Sequence, residues 1–404
     1  MANRRRLLAC LAASAALLGA CGNGGDDTPA AEAPPSTAAR IAAVTAVRSP
    51  ASILRANLTA LLQEHVFLTG ATTSTLIAGQ DAAPATEVLD NNSVALSNVV
   101  GAVYGPDGAA QFLDLWRRHI GLLLDFARAS AAGDEAGIAT AKGGLDAYRD
   151  EMATFLNTVN PNLAEADMAD DQRTYLSGIQ SAITAQAKGE PTAAGKLKTA
   201  AEHMPRTATV LVAGIAKNHP GMFEGRVDGS AATLRSVLAS KLQEHVYLAW
   251  VASGVIAADG ETKEPVAAVD DNSVELANII GSAYGDEAAK QFLGLWRDQV
   301  AAYVDYARAR AGGDTTGVQA ATARLAPEPA RFAAFLHAAN PHLDQAVLAA
   351  EFTAHARALL AAIDAQAAGA PSRFADVHNA AGRTPELALR LSTGIVTQFP
   401  GRFS

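Results

Sequence analysis

Leu58, Leu62, His65 and Leu68 fall at i, i+4, i+7 and i+10. That spacing lines one face of an α-helix and predicts one over this stretch. The pattern returns at Leu238, Leu242, His245 and Leu248, with His245 in the place of His65. The same offset holds without insertion from Leu54 and Leu234 to Phe223 and Phe403, so one unit is written twice.

The first predicted helix begins at Ser49-Pro50, a hydroxyl N-cap followed by proline at the first helical position. A second follows the Asp81–Pro84 turn and runs to Tyr104-Gly105, with Asp90, Asn92 and Ser93 near its start, echoed by Asp270, Asn272 and Ser273. A third begins at Pro106 and carries Phe112, Leu115, Trp116, His119, Leu122 and Phe126 on one stripe. It stops at Gly133, where Asp134 can cap a fourth. The fourth ends at Asn160-Pro161, the fifth near Gly189 and the sixth at Pro220-Gly221. The same punctuation recurs at Asn340-Pro341, Gly369 and Pro400-Gly401. In the second copy Pro327 and Pro329 replace Ala147 and Arg149, and should break or kink the fourth helix there. No run alternates with period two for long enough to make a strand. The expected fold is all-α: two tandem homologous helical-bundle domains of about six helices each, over 49–224 and 234–404, joined by a hinge at 225–233 that holds two glycines.

The N-terminal stretch changes the picture of where this fold works. Arg4, Arg5 and Arg6 precede an apolar run from Leu7 to Leu18, too short to span a bilayer, so 1–20 read as an export signal. The run ends in Leu18-Gly19-Ala20-Cys21, which resembles the lipobox of bacterial lipoproteins. The resemblance implies diacylation of Cys21, a membrane anchor through that lipid, and a place in the cell envelope on its periplasmic or extracellular face. Residues 21–48, rich in Gly, Ala, Pro, Asp and Thr, read as a flexible tether. The only other cysteine, Cys10, lies inside the signal, so disulfides and Cys-ligated metals are excluded from the mature chain.

The net charge is −9, and loss of the three signal arginines leaves 29 basic against 41 acidic residues, or −12. With no basic stripe to neutralise phosphates, nucleic acid is not an expected partner.

His65 and His245 are the only histidines present in both copies, preceded by Glu64 and Glu244. A histidine on an apolar face must satisfy two ring nitrogens, by hydrogen bonds or by a metal. The sequence LQEH resembles the opening helix of hemerythrin-like cation-binding domains, over one helix per repeat. The His-x-x-x-Glu and His-x-x-x-His pairs those domains also need do not occur here. Adjacent Glu and His point about 100° apart on a helix, so they do not converge on one ion. Elsewhere the copies differ: His119 is matched by Gln299, His203 by Arg383, and His355 by Tyr175. What the copies share is hydrogen-bonding polarity, which points to buried networks that fix helix register. In the alternative of diverged copies, a metal would use His65, His119 and His203 in one, and His245, His355 and Glu351 in the other. Asn98 and Asn278, on otherwise apolar helices, are expected partners for the Glu-His pairs. Trp116 and Trp296 sit at core spacing, and Arg117 and Arg297 read as solvated or ion-paired.

The motifs LQEHV, DNNSVALSNVVGAVYG, QFLDLWRRHI, NP and the closing Pro-Gly resemble a helical module of secreted bacterial proteins, some named for copper amine oxidase. The resemblance covers about 54–224 and 234–403 and implies export and a helical fold, with no catalytic assignment. The topaquinone-type tyrosine motif of true copper amine oxidases is not apparent. Nor is there a glycine-rich phosphate loop, a Gly-x-Ser-x-Gly elbow, a His-Glu-x-x-His or a CxxCH. The expected function is non-enzymatic binding or scaffolding in the envelope, of a protein, envelope component or small ligand, with no cofactor. The alternatives are metal or haem binding through the histidines, and an enzyme of unrecognised type.

Overall fold

A computed structural model describes residues 35–403 of the chain. The signal, both cysteines and the first part of the tether lie outside the described residues. Those that are described form one compact all-α unit, with no strand among them. The helices are α1 (Thr37–Val47), α2 (Pro50–Ile77), α3 (Ala83–Ala132), α4 (Glu135–Val159), α5 (Glu165–Ala187), α6 (Ala193–Ala201) and α7 (Met204–Asn218), followed by α8 (Ser230–Ala257), α9 (Lys263–Tyr284), α10 (Asp286–Ala311), α11 (Thr315–Leu325), α12 (Glu328–Ala339), α13 (Gln345–Ala367), α14 (Arg373–Ala381) and α15 (Thr384–Gln398). A single 3₁₀ turn, Pro400–Arg402, follows. The bounds of α2, α5, α6 and α7 reappear at the offset of the sequence repeat in α8, α13, α14 and α15.

Local chemistry sets these boundaries. Ser49 accepts from the Ser52 amide and Pro50 opens α2. Gly133 takes a left-handed conformation (φ 66°) to end α3, and Asp134 caps α4 at once. Gly105 (φ 82°) interrupts α3, where Pro106 follows, and Gly285 (φ 92°) separates α9 from α10. Pro327 and Pro329 divide into α11 and α12 what in the first copy is the continuous α4. Asn160 donates its amide to the Tyr104 hydroxyl at 2.9 Å, and Asn340 repeats the bond to Tyr284, tying each post-helical turn to the end of an earlier helix.

Two expectations need correcting. The tether does not stay irregular as far as 48: α1 buries Ala43 and Val47, and Ser36 caps it. Alanine-rich sequence has high helix propensity, and an apolar surface on the second repeat gives that helix something to pack on. The expected sixth helix is two, α6 and α7. Pro205 forces a new start after His203, and Pro385 does the same in the second copy.

α2 and α8 form the centre. Neither presents a separate polar face: apolar and polar residues mix around both helices, and both are buried on most sides. One side of each packs into its own repeat, and the other packs against its counterpart. Arg55 Nη1 donates to the Val227 carbonyl at 2.7 Å, and Arg235 Nη1 donates to the Val47 carbonyl at 3.0 Å. Arg55 and Arg235 are equivalent positions, as are Val47 and Val227, which is the reciprocity of a twofold interface. The segment before α8 therefore lies on the first repeat, where Ala51 donates to the Glu224 carbonyl at 3.2 Å, while α1 lies on the second. Gln345–Ala367 is long and apolar enough to cross a membrane by composition. Here one face of it packs against α8, α12 and α14, and it carries Glu351, His355, Arg357 and Asp364.

Candidate functional site: two buried polar centres and a cavity

The Glu-His pair divides its labour as helical spacing requires. Glu64 and Glu244 turn to the boundary between repeats, and His65 and His245 turn into the core of their own repeat.

Glu64 accepts from Tyr247 Oη at 2.6 Å and His378 Nδ1 at 2.8 Å through Oε1, and from Asn92 Nδ2 at 3.0 Å through Oε2. Tyr247 and His378 belong to the second repeat. The bond to Glu64 raises the His378 pKa against the effect of burial. Glu244 is held by Asn272 at 2.9 Å, Lys241 at 3.0 Å and Gln63 at 3.2 Å, with Lys198 at 3.7 Å. Lys198 and His378 are equivalent positions, so each repeat sends its short helix, α6 or α14, across to the other's glutamate. Burial pushes the Glu244 carboxyl up, and Lys241 and Lys198 pull it back. Lys241 itself is raised: burial opposes its charge, and Glu244, Glu202 and Glu275 outweigh burial. Glu202, Glu244 and Glu275 bring carboxylate oxygens within 4.8 Å of one another. Lys198 and Lys241 already lie among those carboxylates, at 2.5–3.0 Å from Glu202 and 2.8–3.0 Å from Glu275, so this centre is an ion-pair knot.

Asn98 and Asn278 do not serve Glu64 and Glu244; both are exposed. Asn92 and Asn272 do so instead. Six positions along the helix turn the side chain about 120° away from the interior. The recurrence of all four asparagines is visible in sequence, but which of the two in each copy faces inward is not.

The second centre lies inside the first repeat. His65 Nε2 stands 2.9 Å from Tyr175 Oη and 3.2 Å from His119 Nε2, and His119 Nε2 stands 3.3 Å from Tyr175 Oη. The Thr69 hydroxyl is 3.4 Å from His65 Nε2. Three helices, α2, α3 and α5, supply the group, and both imidazoles are 0 % exposed. Trp116 packs on His65 with ring centroids 4.7 Å apart, and Tyr148 stacks on His119 at 4.7 Å. Burial drives His65 down to about 3. Burial and then the neighbouring His65 drive His119 well below its ordinary value. Both rings are neutral at pH 7. Burial holds the Tyr175 phenol above its ordinary value, so it is protonated.

His203 is elsewhere, with Nε2 2.9 Å from Asp171 Oδ1. In the second repeat His245 and His355 have ring centroids 6.2 Å apart with no bond between them, and neither nitrogen of His245 has a partner. Glu351 is taken by Arg390 at 2.7 Å rather than by His355. Arg117 and Arg297 make two-pronged pairs with Asp90 and Asp270 on the surface. Sequence reasoning sets Tyr175 beside His355 only as its counterpart; nothing in spacing marks it as the neighbour of His65.

Beside this centre is an apolar cavity of about 70 Å³, whose wall includes Leu62, Val103, Trp116, Met152, Gln172 and Tyr175. Two polar atoms of the wall residues, Trp116 Nε1 and Gln172 Oε1, have no hydrogen-bond partner. The equivalents of Met152 and Gln172 in the second repeat are Phe332 and Phe352. Their rings stack at 5.4 Å, and Phe332 meets Trp296 at 5.3 Å, filling the corresponding space. Comparison with protein-family models, with curated proteins and with solved structures found no match.

Proposed function

We propose that this chain is an exported lipoprotein, anchored in the cell envelope through Cys21, that binds a small ligand without transforming it. The ligand is a compact apolar molecule with one hydroxyl or carbonyl group, held in the first repeat. The observation that carries the reading is the cavity beside Trp116 and Gln172, set against the ring-filled equivalent in the second repeat. Trp296 shares the unpaired indole N–H, so the distinguishing polar group is the Gln172 amide, replaced by Phe352. Pockets of this kind are mostly apolar with few polar groups, and those fix orientation. A buried amide oxygen left without a donor costs free energy that a ligand hydroxyl would recover.

The second repeat acts as a brace. Its α14, and the packing of α1 on α15, hold the two halves together, and its own core is closed. The acidic surface and the lipobox-like Cys21 support placement on a membrane by lipid rather than by charge.

Two measurements test this. Cys21→Ser should move the protein from the membrane to the soluble fraction; unchanged partitioning rules out the lipid anchor. Titration with short-chain alcohols, followed by the Trp116 indole N–H resonance, should saturate at one molecule per chain. Retention of the same binding by Gln172→Phe together with Met152→Phe would place the ligand elsewhere.

A further inference from the structure

We infer that His65, His119 and Tyr175 form a binding site for one divalent first-row transition-metal ion, copper or zinc, inside the first repeat. Ligand atoms about 2.0–2.1 Å from a tetrahedral ion stand roughly 3.3–3.4 Å from one another. The three edges here are 2.9, 3.2 and 3.3 Å, so the two Nε2 atoms and the phenol oxygen already occupy nearly one face of such a tetrahedron. Hydrogen bonds account for two edges only. Tyr175 can accept from one imidazole and donate to the other, which leaves no proton for the remaining contact. An ion takes a lone pair from all three.

The second repeat supplies the control. His245 sits at the equivalent position, nearly as deeply buried, and makes no bond through either nitrogen. Burying this histidine in the fold therefore does not demand convergent partners, and the convergence in the first repeat is a property of that site. Imidazole suits copper and zinc, and the Irving–Williams order puts Cu²⁺ ahead of Zn²⁺. The imidazoles are neutral at pH 7 and need lose no proton. The Tyr175 hydroxyl must lose one: two imidazoles, one phenol and M²⁺ give a bound complex of charge +1 and one H⁺ released to buffer. Trp116 and Tyr175 are common to the site and to the cavity wall. The inference is independent of the ligand proposed for the cavity.

The test uses the full-length protein without a histidine tag, stripped with chelator and titrated with Cu²⁺ or Zn²⁺ by calorimetry in buffers of different ionisation enthalpy. One ion per chain with about one proton released is expected. Cu²⁺ should also give a visible phenolate-to-metal charge-transfer band. His119→Gln installs the residue found at the equivalent position 299. It should keep the helical circular dichroism and weaken binding by more than the roughly 10–100-fold that loss of an outer hydrogen-bond partner costs. Tyr175→Phe should abolish the band and the proton release, and His245→Gln should change neither. No binding to the wild-type chain, or equal binding by His119→Gln, overturns the site.

Discussion

The ring of Phe67 lies flat on the ring of Tyr247, with centroids 5.0 Å apart and planes 4° from parallel, and these are the same position of the two repeats. A residue that touches its own equivalent lies on the axis relating the copies. Arg55 and Arg235 repeat the relationship at a distance, each reaching the other half's chain before its central helix. On that axis the copies differ by one oxygen, and Tyr247 uses it to bind Glu64.

That oxygen should be measurable. Tyr247→Phe keeps the stack and removes one of three donors to a buried carboxylate. A loss of about 1.5–3 kcal/mol is expected, the range for hydrogen bonds to charged groups. Urea denaturation measures it. An unchanged midpoint would mean that Glu64 is served by Asn92 and His378 alone.

The arginine clasps predict local release. Arg235→Ala removes the bond to the Val47 carbonyl and should free α1 for tryptic cleavage at Arg40 and Arg48. Arg55→Ala should instead free the segment held through the Val227 carbonyl, for cleavage at the already exposed Arg226. Limited proteolysis read by mass spectrometry distinguishes these patterns from global unfolding, which would cleave both variants alike.

Stability should depend on pH with a definite sign. Burial lowers His65 and His245 to about 3 and His355 to about 4, and puts His119 well below its ordinary value. The unfolded chain protonates these rings below about pH 6.5 and the folded chain does not. Stability present above that pH is therefore lost as pH falls towards 4, by about 1.4 kcal/mol per pH unit for each ring. His378 works the other way. Its raised pKa gives stability below about 6.5 that disappears as pH rises through the folded value. Urea midpoints from pH 8 to 5 should fall more steeply in His378→Ala than in the wild type, and less steeply in His65→Gln.

Filling the cavity should stabilise the first repeat. Met152→Phe with Gln172→Phe installs the pair that stacks in the second repeat and should add about 0.5–2 kcal/mol, the usual gain from cavity filling. A loss of stability would show that the wall around Tyr175 cannot take the rings, which the second repeat accommodates beside the smaller His355.

Much of the frame is legible in the chain itself. Ser49-Pro50, Gly105, Gly133-Asp134 and Pro327 act through backbone conformation within a few residues, so the elements they bound can be read locally, and the constant offset of the repeat carries them into the second half. Two local signals mislead. Alanine-rich 37–47 reads as tether because its helix depends on a surface supplied by the far half of the chain, and Pro205 lies in a stretch that reads as one helix. What only the tertiary structure decided is which side chains meet. Whether Asn92 or Asn98 turns inward, that Tyr175 closes on His65 and His119, that Lys198 and His378 cross to the opposite glutamates, and that the two copies of one bundle end with one hollow core and one filled core all depend on packing between helices far apart in sequence. Helical periodicity fixes the angle of a side chain about its own axis, but which neighbour occupies that direction is set by the burial of α2 and α8 against each other.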